Sequence, residues 1–183
     1  RDWTKEGLYP TFIPPITPTV TGRRPVSTEK DKETDQTAII ALTRNGARMA
    51  KSLVTSLDGK CTLFVDRRFH QEGDGAEVFD LPLRPVVERA FANCSNLVLF
   101  LSTGASIRLL APLLKSKQTD PAVVCIDDAG SFCVSLISGH IGGADKLAQE
   151  VAKKLGAEPV ITSASHASRT LSVDLLGREF GWK

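Results

Sequence analysis

The residues with the most chemistry in them lie in one stretch, Ser138-Gly139-His140-Ile141-Gly142-Gly143-Ala144-Asp145. It follows the apolar run 133–137 and leads into 144–155, where apolar positions 144, 147, 148, 151, 152 and 155 recur at steps of three and four. That pattern is a strand that breaks into a glycine loop and opens an amphipathic helix. His140 is the one side chain of the loop that titrates near neutral pH. The glycines permit a sharp turn and let a ligand approach the backbone. The first N–H groups of a helix lack internal partners and carry partial positive charge, so they favour an anion. Many glycine loops between strand and helix only make a turn, and the imidazole is what raises this one to a candidate site.

Three further loops of small and polar residues follow apolar runs: Thr43-Arg44-Asn45-Gly46, Ser102-Thr103-Gly104-Ala105-Ser106 and Thr162-Ser163-Ala164-Ser165-His166. In an open α/β sheet, ligands bind outside the carboxyl ends of the strands. If the four strands run parallel, their loops share one rim. With Arg44 and Arg108 and few acids, that rim would suit a ligand carrying several carboxylates or phosphates. The candidates are therefore His140 for proton transfer, and Arg44, Asn45, Thr103, Gly104, Ser106, Arg108, Ser138, Gly139, Gly142 and Gly143 for binding. His166 reads as a loop residue, and Asp120, Asp127 and Asp128 as turn residues whose carboxylates hold local backbone. A P-loop, a Gly-x-Gly-x-x-Gly fingerprint and a Gly-x-Ser-x-Gly elbow are all missing, which disfavours a nucleotide-binding domain and a serine hydrolase. His70, His140 and His166 stand far apart without local Cys or His partners, so no metal site is expected.

The 183 residues are enough for one domain with a large core. An apolar share of 42% and a net charge of +2 describe an ordinary soluble protein, with no charge argument for nucleic acid. No apolar run approaches the roughly 20 residues of a membrane span, and no signal peptide is read. Cys61, Cys94, Cys125 and Cys133 have no CxxC spacing and read as reduced core thiols of a cytoplasmic protein. Cys125 and Cys133 would face each other if the strands that carry them form a hairpin. The chain begins at Arg1, as a piece of something longer or a processed chain would.

The elements that must position these residues follow from the pattern. Residues 1–37, with five prolines, read as an arm and linker, and the domain occupies 38–183. Strands are expected at 38–43, 61–65, 97–102, 122–127, 132–137 and 159–162. Helices are expected at 47–57, 83–91, 107–115 with a kink at Pro112, 144–155 and 173–180. The short connection 128–131 makes a hairpin of its two strands. The alternation gives an α/β fold, a three-layer α/β/α domain with a mixed, mostly parallel sheet.

Several of these residues match a known pattern. The runs 110–115 and 119–124, Asp127 with Gly130, the Thr103-Gly104 loop, the opening 41–46 and above all Leu136-Ile137-Ser138-Gly139-His140-Ile141-Gly142-Gly143-Ala144-Asp145 resemble the amino-terminal region of the CbiG family, over about residues 38–183. The resemblance implies a cobalt-precorrin-5A hydrolase of cobalamin biosynthesis, which opens a δ-lactone on the macrocycle and releases acetaldehyde. It implies no resident cofactor, since cobalt is carried by the tetrapyrrole substrate. Implied partners are that substrate and a carboxyl-terminal CbiG domain or fused pathway enzymes, without nucleic acid or membrane. Opening a lactone needs an activated water and donors for the oxyanion, and that chemistry would make His140 the general base or acid, the Gly142 and Gly143 N–H groups the oxyanion site, and Arg44 and Arg108 the holders of ring carboxylates. The alternative is a non-catalytic corrinoid-binding or docking module.

Overall fold

The computed structural model describes residues 36–140 and 142–163. The expected arm at 1–37 lies outside them except for Gln36 and Thr37, and so do the helix expected at 173–180 and His166. The described residues form a seven-stranded sheet between two helical layers. The strands are β1 (Gln36–Ala41), β2 (Lys60–Asp66), β3 (Glu77–Phe79), β4 (Asn96–Phe100), β5 (Ala122–Ile126), β6 (Phe132–Ile137) and β7 (Glu158–Val160), in the order β3-β2-β1-β4-β5-β6-β7. Strands β1 to β5 run the same way, β6 pairs antiparallel with β5, and β7 follows β6 in parallel. The fold class is the expected three-layer α/β/α with a mixed, mostly parallel sheet.

Helices α1 (Arg44–Val54) and α4 (Ala144–Leu155) cover one face, while α2 (Arg84–Asn93) and α3 (Thr103–Leu110) cover the other. The central strands are buried on both sides, which explains their unbroken apolar runs. Ile39, Val98, Val124 and Ile126 pack under α1 and α4, and Ile40, Leu97, Leu99 and Val123 under α2 and α3. Truncating a fully buried residue such as Leu99 to alanine would cost about 2–5 kcal/mol. Among the described residues, no helix is long and apolar enough to cross a membrane.

Several boundaries differ from the sequence pattern, and capping explains two of them. Arg44-Asn45-Gly46 is the first turn of α1 rather than a loop, because the Thr43 hydroxyl accepts the Gly46 N–H at 3.0 Å. Ser102 likewise caps α3, which starts at Thr103 and ends at Leu110, and Pro112 sits in a separate 3-10 turn. Strand β3 is too short to leave a periodic signal. Cys125 and Cys133 are on opposite faces of the sheet, since Cys125 stands across from Val134 and Cys133 across from Ile126. They cannot bridge, and all four cysteines are free. Burial, and then the neighbouring Cys125, push the Cys133 thiol up to about 12.

Candidate functional site

The glycine loop folds back on the start of its own helix. Ser138 sits at φ 60° and Gly143 at φ 95°. The Ser138 carbonyl accepts the Ala144 N–H at 3.1 Å, and the Gly139 carbonyl accepts the Asp145 N–H at 3.0 Å. Two first-turn donors of α4 are thus used internally rather than offered to a ligand. The Gly142 and Gly143 N–H groups form no hydrogen bond with a described residue. A side chain at position 142 would collide with Ser138 Cβ and stand 2.7 Å from its carbonyl oxygen, so glycine is required there.

His140 is half-buried, and its Nε2 is shut from solvent without a hydrogen-bond partner among the described residues. An unsatisfied buried polar atom costs about 1–3 kcal/mol, which a ligand group or an ordered water would recover. The loop around it is fastened on two sides. The Ser138 hydroxyl donates to the Asp120 carbonyl at 3.2 Å. The Asp145 carboxylate accepts hydroxyl bonds from Ser135 of β6 at 2.6 Å and from Ser163, just past β7, at 2.9 Å. A Cβ at Gly139 would stand 2.8 Å from that carboxylate, so loop and clamp are in close contact. Asp145 is a residue of this site that sequence reasoning missed. The hydroxyls that reach it lie 10 and 18 residues away, and no local spacing announces them.

The four loops do not share one rim. Because β6 runs against β5, the loop after β6 leaves the sheet at the edge where β1, β4 and β5 begin. The residues after β7 leave at that same edge, as the Ser163 bond to Asp145 attests, while Ala164, Ser165 and His166 lie outside the described residues. The loops after β1 and β4 open at the opposite edge. The five residues of β5 put about 17 Å between the two. Ser138, Gly139, His140, Gly142 and Gly143 therefore form one group, and Arg44, Asn45, Thr103 and Gly104 another.

That second edge holds the topological switch point, between β1 and β4, whose following helices pack on opposite faces. It is richer in acid than expected. The Asp128 carboxylate accepts the Thr43 hydroxyl and, at 3.5 Å, the Asn45 amide, and Asp127 holds the hairpin through the Phe132 N–H at 2.7 Å. The Thr103 hydroxyl lies 3.4 Å from the Cys125 sulfur. Gly104 is exposed, with open space where a side chain would go. Ser106 is not a binding residue: it has no exposure and its hydroxyl donates to the Ser102 carbonyl at 3.1 Å. Arg108 is exposed in the second turn of α3 and forms no ion pair with a described residue.

A family model described as "Cobalamin synthesis G N-terminal" matches residues 85–166, a span that contains the glycine loop. A cobalt-precorrin-5A hydrolase of Priestia megaterium is 40% identical over 149 residues, covering 79% of this chain and 39% of that protein. The chain belongs to the CbiG family. A second hydrolase of the same name, from Salmonella typhimurium, is 38% identical over 139 residues, covering 76% of this chain and 38% of its own. This CbiG chain thus spans about two fifths of the length of the curated relatives it matches. Its fold is shared with the crystal structure of a cobalamin biosynthesis protein G homolog from Sulfolobus solfataricus, at a TM-score of 0.53 and 21% identity over 78% of this chain and 39% of that one.

Proposed function

We propose that this chain takes part in opening the δ-lactone of cobalt-precorrin-5A with release of acetaldehyde, and that the lactone meets it at the His140 edge. The observation that carries this reading is its likeness to two curated hydrolases of that substrate over more than three quarters of the chain. In lactone opening, water adds to the carbonyl and the ring C–O bond breaks, giving a carboxylic acid and an alkoxide. Collapse of that alkoxide to acetaldehyde breaks a C–C bond, and the ring carbon left behind takes a proton. One water is consumed and nothing is oxidised or reduced.

Two needs follow: a group that moves a proton and donors for the developing oxyanion. Among the described residues of this edge, His140 supplies the imidazole, and it takes the proton from water. The Gly142 and Gly143 N–H groups receive the oxyanion. Arg44, about one strand length away, does not act in the same cleft. The ring carries its own cobalt, so the reaction asks no resident cofactor of the chain. A carboxyl-terminal CbiG domain or a fused pathway enzyme would complete the cleft from outside these residues.

The test is acetaldehyde release from cobalt-precorrin-5A by this chain and by its His140→Ala variant. A fall of at least about 100-fold is expected if His140 transfers the proton. Near-normal turnover in a folded variant removes it from catalysis. Spectral shifts on binding without acetaldehyde favour the second reading, a corrinoid-binding or docking module, which the chain's coverage of only two fifths of its relatives keeps in play.

A further inference from the structure

We propose that the groove between the first two turns of α1 and the segment 67–71 binds a small, multiply charged oxyanion, a polycarboxylate or a phosphate, held by Arg44 and Arg48 and seated against Phe69. The groove has a volume of about 310 Å³ and is lined by Arg44, Asn45, Arg48, Lys51, Phe69 and Gln71. Its wall is built firmly. The Arg68 guanidinium makes a two-pronged pair with the buried Asp66 carboxylate, at 2.9 and 2.8 Å, and stands 5.4 Å from the centre of the Phe69 ring. Arg44 lies over the same ring at 5.8 Å.

Of the four cations around this groove, two are neutralised and two are not. Arg68 has Asp66. Lys51 stands 3.2 Å from the Asp74 carboxylate and donates to Gln71 at 2.8 Å. Arg44 and Arg48 have no acidic or hydrogen-bonding partner among the described residues. One turn apart on one helix face, their charges repel. Both also stand in the first half of α1, where the helix favours acids, and its first turn has none. An arrangement that breaks two local rules beside a preformed cavity is what a binding site for an anion requires. The site lies at the edge opposite His140 and does not rest on the hydrolase reading.

The experiment is calorimetric titration of this chain at low ionic strength, with citrate in one arm and inorganic phosphate in the other, which separates carboxylate from phosphate recognition. Saturable binding is expected in at least one arm. It should weaken at least about tenfold in Arg44→Gln/Arg48→Gln and should fall as salt is added. A control, Lys153→Gln in the last turn of α4, should keep the affinity within about twofold, since that residue does not line the groove. Failure to saturate in both arms overturns the proposal. So does an affinity that the double variant leaves unchanged, or one that Lys153→Gln weakens as much.

Discussion

Replacing Asp145 with alanine should unfasten the His140 loop from the sheet. The carboxylate accepts two hydroxyl bonds, from Ser135 at 2.6 Å and Ser163 at 2.9 Å, and ties the start of α4 to β6 and to the residues after β7. Hydrogen bonds to a charged acceptor contribute about 1.5–3 kcal/mol each. Both serines are half-buried and regain water when released, so the lower figure applies to each. The loss of an acid from the first turn of α4 adds about 0.3–1 kcal/mol. The sum is about 3.3–4 kcal/mol. Asparagine keeps one acceptor oxygen, and its amide can donate to the second serine, so Asp145→Asn should cost about 1 kcal/mol. Urea unfolding of the three proteins at pH 7 reads both numbers. An alanine variant that loses less than about 1 kcal/mol, or an asparagine variant as weak as the alanine one, would refute the clamp.

Gly142→Ala forces its new methyl into Ser138, whereas Gly143→Ala meets no atom and is strained only by its φ of 95°. The first should cost about 1–3 kcal/mol through crowding and displace His140, and the second about 1–2 kcal/mol. Urea unfolding and the loop's amide NMR shifts check the pair, and equal shift changes in both would count against the contact. The Asp66 carboxyl is held below its usual range by the Arg68 guanidinium, against burial that pushes it up. A folded-state value below the unfolded one adds stability that is fully present above about pH 4 and is lost as the pH falls through the folded value. Asp66→Asn should therefore be weaker than the parent at pH 6, with the gap closing towards pH 3, and a gap constant across that range would exclude the linkage.

The long apolar runs were legible because strands buried on both faces admit no polar residue: 97–102 and 122–127 predict β4 and β5 with only their ends misplaced. The loops after β1 and β4 were misread as open chain because Thr43 and Ser102, which look like loop residues, are helix caps whose helices begin at once. The hairpin of β5 and β6 was expected from its short connection, yet it is the feature that undoes a common rim, since a strand that turns back carries its following loop to the other edge. Ser106 fails as a ligand for a related reason. Once α3 starts at Thr103, position 106 falls on the face turned to the sheet. Phe69 and Arg48 gave no warning, because their meeting depends on where residues 67–71 cross α1.

The reversal of β6 also sets the sense of the helix that follows it. Helices α1 and α4 lie side by side on one face of the sheet, but α1 sets out from the edge of the switch point and α4 from the edge of the His140 loop. Their peptide dipoles are therefore opposed and largely cancel along that face, instead of summing as they do when every strand is parallel. Each end of the molecule is left with a positive helix terminus of its own. A charge change at one of these termini should leave the field at the other almost untouched.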